Sequence, residues 1–239
     1  MEPLAAGTRP RTALVIPTLD EEAAIAGVVA AVPRDWIDEI VVADGASRDR
    51  TAERARAAGA RVVTEPRRGY GWACRSGVDA AASAEIIVFI DGDGSDCPDL
   101  IPSLLAPIIA GTHDFVIGSR TRGKRENGSM NAHQIAAGRV IGAMIGLCYG
   151  VRYTDMCPLR AIRRDALERL GMRETSYGWN LEMQMRAAQA GLRILEIPVR
   201  HRRRAGGASK VSGNLAGTVK ASWRIGATFL RLAWGGLAR

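Results

Sequence analysis

The sequence has few of the features that mark secreted, membrane-spanning or disulfide-stabilised proteins. Its 239 residues include only four cysteines, with no CxxC pair, which fits reduced thiols in a reducing compartment. The longest charge-free runs, 100–113 and 140–151, are shorter than the ~20 apolar residues that a spanning helix needs. The opening segment 1–12 contains no apolar stretch of signal-peptide length. We therefore expect a cytoplasmic protein with no membrane-spanning segment.

Acidic residues are absent from the C-terminal part of the chain. All 25 lie at or before Glu196, whereas nine of the 33 basic residues follow it, and such a cationic tail needs an anionic partner. On a helical wheel of ~100° per residue, segment 211–234 places Lys220, Arg224 and Arg231 beside a broad apolar arc. This pattern is typical of a helix lying on an anionic membrane surface. The alternatives are a helix docked on the body or a dimerising helix; nucleic acid has little support, because its binding motifs are missing.

The apolar runs predict one alternating α/β domain. With 47% hydrophobic and 24% charged residues, the chain can build one sizeable core. Strands are predicted at 13–16, 39–43, 60–64, 85–90, 114–117 and 192–199, and helices at 21–31, 49–58, 71–82, 98–110, 134–150, 165–170 and 178–190. This alternation predicts right-handed βαβ units and a mainly parallel sheet, whose sites lie at the carboxyl ends of the strands. Thr18 and Glu21 form a predicted capping box for the first helix, and the loop 118–134 is predicted to be a functional flap.

The strongest local signal is the pair Asp91 and Asp93, which directly follows an apolar strand. Two carboxylates one residue apart can share a hard divalent cation such as Mg²⁺ or Mn²⁺. Such a metal would bridge the phosphates of a nucleotide and neutralise a leaving diphosphate. The alternative is an Asp/Gly turn chosen only for its conformation. The nearby Asp96 and Asp99 are predicted to start the following helix.

Other motifs are weaker by themselves. Asp44 ends a strand, where it could meet a ribose or base or simply form a turn, and the stretch 67–71 could face phosphate or solvent. No GxGxxG follows the first strand, and no P-loop or GxSxG elbow is present, which argues against dinucleotide, P-loop and triad-hydrolase chemistry. The histidines His113, His133 and His201 have no metal-ligand spacing. Each is predicted to be a surface or a satisfied core residue.

In their order and spacing these motifs resemble the inverting family 2 glycosyltransferases of GT-A fold, and within them the polyprenyl-phosphate sugar synthases that make dolichol-phosphate mannose and glucose. The matching segments are VIPTLDEE, VVADGASRDRT, RGYGWA, IVFIDGDGSDCPDL, VIGSR, DMCPLR, YGWNLEM and GGASK. The resemblance covers about residues 12–212. It implies a GT-A catalytic domain over 1–212, followed by a basic amphipathic helical segment over 213–239.

The resemblance also implies a role for individual positions. Asp91 and Asp93 would bind the metal, with Asp93 the principal ligand, and Arg120 would meet the acceptor phosphate, as would Arg139. Asp155 joins Asp93 and Arg120 as an expected catalytic residue. The nucleotide sugar would be bound by Pro17, Leu19, Glu21, Asp44, Asp91, Ser209 and Lys210.

The chemistry of the chain agrees with a phosphate acceptor. The sequence offers no convincing general base, and a phosphate acceptor needs none because it is already an anion. A hydroxyl acceptor on a glycan or glycolipid would need a carboxylate base, for which Asp155 or Glu182 could be recruited. We therefore expect metal-dependent transfer of a hexose from GDP-mannose or UDP-glucose to dolichyl or undecaprenyl phosphate at the cytoplasmic face of a membrane. A non-enzymatic nucleotide-sugar-binding module is a remote alternative, and a homo-oligomer is left open.

Overall fold

The computed structural model describes residues 9–206 and 226–232. Seven strands form one sheet in the order β3-β2-β1-β4-β6-β5-β7. The strands are β1 (Thr12–Thr18), β2 (Glu39–Asp44), β3 (Arg61–Thr64), β4 (Ile86–Phe89), β5 (Phe115–Ser119), β6 (Arg160–Arg163) and β7 (Ile194–Pro198). All six predicted strands are confirmed, and β6 is an addition to them.

Helices connect most of these strands. They are α1 (Ile25–Ala30), α2 (Thr51–Ala57), α3 (Tyr70–Ala80), α4 (Ile101–Ile109), α5 (Ala132–Tyr149), α6 (Arg164–Leu170) and α7 (Trp179–Gln189), with a 3₁₀ turn at Pro98–Leu100 before α4. Residues 226–232, called the C-terminal segment below, are also helical. No helix among the described residues is both long enough and apolar enough to cross a membrane.

The centre of the sheet is parallel and enclosed on both faces. Every residue of β1 and of β4 is buried, because helices cover both faces of a parallel sheet. β1 pairs in parallel with β2 and with β4, so Thr18 lies beside Asp44 and Val15 lies beside Phe89. The carboxyl ends of these three strands therefore meet at one edge, as the alternating pattern predicts.

The strand β6 is a departure from the predicted pattern. It runs antiparallel between β4 and β5, although its sequence Arg-Ala-Ile-Arg does not read as a buried strand. Arg160 is fully buried because its guanidinium donates to the carbonyl oxygens of Cys157, at 3.0 Å from Nε, and of Asn180, at 3.1 Å from Nη1. Backbone carbonyls thus replace the solvent that a charged residue ordinarily keeps.

The first helix begins later than predicted, and the capping box at its start is wrong. α1 starts at Ile25, and its N-cap residue, Ala24, makes no side-chain cap. The hydroxyl of Thr18 is buried with no hydrogen-bond partner in the described structure. The carboxylate of Glu21 instead accepts hydrogen bonds from a distant arginine. The loop after β1 is therefore held by this contact to an arginine and not by a capping box.

The C-terminal segment packs on the body of the protein. Phe229 and Leu232 are buried, and the hydroxyl of Thr228 donates to the Glu174 carboxylate at 2.9 Å. For these seven residues the docked-helix alternative is the one observed, while Leu230 stays 55% exposed. The rest of the helix predicted over 211–234 lies outside the described residues.

Candidate active site

The loops that follow β1 and β2 are held together by hydrogen bonds between their ends. The backbone N–H of Asp20 donates to the Ser47 hydroxyl, and that of Arg48 donates to the Asp20 carboxylate, each at 2.8 Å. Asp44 is buried beneath them and accepts from the hydroxyl and from the backbone N–H of Ser47. Pro17 is buried and Leu19 partly exposed at the same edge. The structure thus brings together Pro17, Leu19 and Asp44, three of the predicted nucleotide-site residues.

The acidic loop, residues 91–96, continues this edge at the end of β4. Asp91 accepts a hydrogen bond from the Tyr70 hydroxyl at 3.0 Å, and its backbone N–H donates to Asp96 at 3.2 Å. Asp93 accepts from the Ser95 backbone N–H at 2.9 Å. Burial, with the charges of Asp96 and Asp93, raises the pKa of Asp91 well above its ordinary value. The carboxylates of Asp91, Asp93 and Asp96 give this loop a negative charge that favours the binding of a cation.

The acidic loop fits a particular kind of metal ion. In the part of the chain that is described, no group of three or more His, Cys, Asp or Glu side chains is arranged to hold a metal. Mg²⁺ commonly takes one or two carboxylates and completes its shell with water and substrate phosphates. Asp91 and Asp93 therefore suit a cation that arrives with a phosphorylated substrate, and a bound cation would reverse the repulsion that raises the pKa of Asp91.

Arg204 joins the two sides of this edge, and the sequence analysis did not identify it. Its Nη2 donates to both carboxylate oxygens of Glu21, at 2.7 and 2.9 Å, and its Nη1 lies 3.6 Å from Oδ2 of Asp93. It belongs to residues 199–205, called the arginine segment below, which follows β7. The sequence feature that contains Arg204 is the run of arginines in 200–204, which has no acidic neighbour and which the charge pattern alone places in the cationic tail. Ser209 and Lys210 lie outside the described residues.

Tyr70 is a second residue that was not singled out. Gly71 packs so closely on the neighbouring loop that a Cβ atom would lie 2.4 Å from the carbonyl oxygen of Glu174. Gly69 has φ +148°, and its Cβ would lie 2.2 Å from the carbonyl oxygen of Thr175. These close approaches seat the start of α3 so that the Tyr70 hydroxyl reaches Asp91.

Arg120, directly after β5, is locked to Asp155. Its Nε and Nη2 donate to the two carboxylate oxygens at 2.8 and 2.9 Å, and its backbone N–H donates to Oδ2 at 2.9 Å. Burial alone would disfavour the charged form of both residues. Their hydrogen bonds and opposite charges outweigh burial, so the pKa of Arg120 is raised and the pKa of Asp155 is lowered. The charge of Arg120 also partly offsets the raised pKa of Asp91. Arg120 is thus a fixed cation near the acidic loop, with Nη1 outside the pair.

The two carboxylates considered as general bases are both held in structural contacts. Asp155 is 3% exposed and bound to Arg120. Glu182 is fully buried, where it accepts from two backbone N–H groups and, at 2.8 Å, from Arg186 Nε. Arg139, by contrast, is exposed on α5.

A mostly parallel sheet with an Asp-Gly-Asp loop at the end of a central strand defines a glycosyltransferase of GT-A fold. Residues 13–171 match the family described as Glycosyl transferase family 2, and the chain belongs to that family. The resemblance read from the motifs is confirmed, as are the fold class and the enzyme class.

Three known proteins illustrate the similarity. An uncharacterized glycosyltransferase of Mycobacterium tuberculosis is 39% identical over 220 residues, which covers 89% of this chain and 96% of the relative. A dolichyl-phosphate hexose transferase of Haloferax volcanii is 36% identical over 198 residues, covering 81% and 84%. A glucosyl-3-phosphoglycerate synthase of M. tuberculosis, solved with Mn²⁺, UDP and phosphoglyceric acid, superposes with a TM-score of 0.76 at 25% identity, covering 94% and 78%.

Proposed function

We propose that this glycosyltransferase moves a hexose, with inversion, from a nucleotide sugar to a polyprenyl phosphate. The observation that carries the proposal is the guanidinium of Arg120, which Asp155 holds in place and whose charge partly offsets the raised pKa of Asp91 in the acidic loop. An anchored cation beside a metal-favouring loop suits two phosphorylated reactants that must meet at one point. The hexose transferase relative from Haloferax, named for a dolichyl phosphate, supports the same class of acceptor.

The donor site would lie over the ends of β1, β2 and β4. Asp44 and Glu21 would bind the nucleoside together with Pro17 and Leu19, and Ser209 with Lys210 would close over the diphosphate. Asp91 and Asp93 would hold Mg²⁺ or Mn²⁺, and the Mn²⁺ and UDP of the structural relative support this assignment. When bound, the metal supplies neutralisation of the charge that develops on the leaving diphosphate.

The reaction needs no proton removed from the acceptor. An acceptor phosphate oxygen forms a bond to the anomeric carbon while the bond to the donor diphosphate breaks, and its electron pair leaves with the nucleoside diphosphate. In this scheme Arg120 holds the acceptor phosphate, Asp155 keeps the guanidinium oriented, and Arg139 would add a second cation. The engagement of Asp155 and Glu182 in structural contacts supports an acceptor that needs no base.

A second candidate acceptor is a small phosphorylated hydroxy acid, because the structural relative is solved with phosphoglyceric acid. The exposed face of α5 favours the lipid instead. Val140, Met144 and Leu147 are 58%, 38% and 89% exposed on this helix, which directly follows the flap. Exposed apolar side chains in a row suit a lipid surface. We therefore propose peripheral contact with an anionic membrane through α5, with the basic tail as a further contact.

The experiment that separates these acceptors is a product assay. The purified enzyme is incubated with radiolabelled UDP-glucose or GDP-mannose, Mn²⁺ and either polyprenyl phosphate in vesicles or 3-phosphoglycerate. We expect an organic-soluble product from the vesicles that releases free sugar in mild acid. A labelled water-soluble product from 3-phosphoglycerate, with none from the vesicles, would replace the lipid acceptor by the small one.

A further inference from the structure

The buried side chains of His201 and Asp96 face one another without a completed contact. His201 is 4% exposed and Asp96 2% exposed. His201 Nδ1 lies 3.6 Å from Asp96 Oδ1, and neither atom has a hydrogen-bond partner among the described residues. Buried polar atoms are almost always paired, and a hydrogen bond of this type spans ~2.7–3.2 Å. A small approach of the two groups would complete the pair.

His201 stands where three parts of the site meet. Its backbone N–H donates to the carbonyl of Lys124 and its carbonyl accepts from Glu126, both at 3.0 Å, so it is paired to the flap. Its side chain faces the acidic loop through Asp96. The next residue along, Arg202, donates its backbone N–H to Ser95 at 2.8 Å.

The other oxygen of Asp96 already holds the acidic loop. Asp96 Oδ2 accepts from the backbone N–H of Asp91 at 3.2 Å. Farther along the arginine segment, Ala205 donates its backbone N–H to the carbonyl of Asp93 at 2.9 Å. The position of Arg204 relative to Asp93 is therefore set by two backbone contacts, from Arg202 and Ala205, and the incomplete His201–Asp96 pair lies directly before the first of them.

We propose that His201 is a positioning residue for donor binding. By donating from Nδ1 to Asp96, it fastens the arginine segment to the acidic loop, so that Arg204 and the carboxylates of the loop face the donor together. The inference rests on the donor site proposed above. It replaces the expectation that His201 is a surface or a satisfied core residue, since its Nδ1 is buried without a hydrogen-bond partner among the described residues.

The test compares variants that keep or remove the N–H group. His201→Leu fills similar space without a donor, whereas His201→Asn keeps a side-chain N–H near the position of Nδ1. We expect His201→Leu to weaken the binding of UDP or GDP with Mn²⁺ about tenfold or more, measured by calorimetry, and to raise the KM for the donor more than it lowers kcat. His201→Asn should recover most of the binding. His113→Leu, a change to a histidine far from this edge, is the matched control.

Three outcomes would overturn the proposal. One is unchanged nucleotide binding in His201→Leu with a lowered melting temperature, which marks a purely structural role. Another is His201→Asn behaving like His201→Leu, which removes the N–H from the explanation. If His201→Leu does not fold, Asp96→Ala, which removes the acceptor, takes its place, and normal nucleotide binding by that variant would equally overturn it. Failure of the wild-type protein to bind either nucleotide with Mn²⁺ would instead refute the proposed donor site.

Discussion

At the scale of single residues, the site depends on charges that the fold holds apart from solvent. Asp93 shows this most directly, because its carboxylate meets the backbone N–H of Ser95 and lies near Arg204. A neutral side chain of the same shape would keep the loop but lose the charge that attracts a cation.

Asp93→Asn is therefore expected to reduce transfer by about 100-fold or more, since removing one electrostatic contact to developing charge costs that order. Initial rates at saturating Mn²⁺ would measure this, with a melting curve to verify the fold. Asp165→Asn, the same change at a carboxylate that is about half exposed, is the control and should retain full activity. Wild-type turnover by Asp93→Asn would remove the Asp-Gly-Asp pair from the mechanism.

Arg120 allows a sharper distinction between donor and acceptor. Arg120→Ala should raise the KM for the phosphate acceptor by about 10- to 100-fold, because a charge-assisted contact is worth roughly 1.5–3 kcal/mol. The affinity for nucleotide should change little. The variant should also unfold more easily, since Asp155 would be left buried without its partner. Arg163→Ala, at a mostly exposed ion pair, serves as the control, and a defect confined to nucleotide affinity would move Arg120 to the donor site.

At the scale of elements, most of the fold but only part of the site could be predicted. The strands β1 to β5 and β7 carry local apolar patterns, and the acidic pair follows β4 directly, so short-range sequence identifies them. β6 was missed because the local pattern does not show that Arg160 is buried against the backbone carbonyls of Cys157 and of Asn180 on α7. Arg204 and His201 were missed for a similar reason, since their partners Glu21 and Asp96 lie far away in the sequence.

The junction between β3 and α3 predicts an acid-sensitive contact. Glu65 is buried after β3 and accepts from Arg67, at 2.6 Å from Nε, and from the Ser76 hydroxyl on α3. The Arg67 hydrogen bonds, against the opposing effect of burial, lower the pKa of Glu65 to about 2. A lowered folded-state pKa stabilises the fold above the ordinary value of 4.5, and this stabilisation is lost as the pH falls towards about 2. Urea unfolding of wild type and Glu65→Gln should thus differ most at neutral pH and converge only as the pH falls to about 2.

The C-terminal segment offers two adjacent residues with opposite surroundings. Phe229 is 6% exposed and Leu230 is 55% exposed. Phe229→Ala should lower the free energy of unfolding by about 3–5 kcal/mol, as Phe-to-Ala changes in cores do, whereas Leu230→Ala should change it by less than about 0.5 kcal/mol. Equal small effects in urea titrations would mean that the segment is not docked in solution. A large effect would mean that truncating the tail also destabilises the rest of the protein. Membrane contact is then better tested by substitutions at exposed positions.

At the scale of the whole molecule, the proposed route to a lipid acceptor depends on contact between the protein surface and a membrane. Among residues 9–206 and 226–232 no helix could cross one. The exposed face of α5 is the part of the described chain best suited to that role. Exchanging Val140 and Leu147 for serine together should weaken binding to anionic vesicles severalfold, because both side chains are largely in solvent, and should leave nucleotide binding unchanged. Vesicle sedimentation measures the effect, and Tyr177→Ser, at an exposed side chain outside both α5 and the tail, is the control. Undiminished sedimentation of the double variant would leave the basic tail as the membrane contact.

The antiparallel strand β6 also affects how the chain folds as it leaves the ribosome. β4 and β5 are made early, yet each lacks a neighbour on its shared side until Arg160–Arg163 has been synthesised and inserted between them. Until then the edge of β4, Ile86–Phe89, offers unpaired backbone groups to which a strand of another chain can hydrogen-bond. We therefore expect the time needed to translate α5 to set how long the unpaired edge of β4 can aggregate. A nascent chain stalled within α5 would contain β1 to β5 but lack the strand that joins β4 to β5.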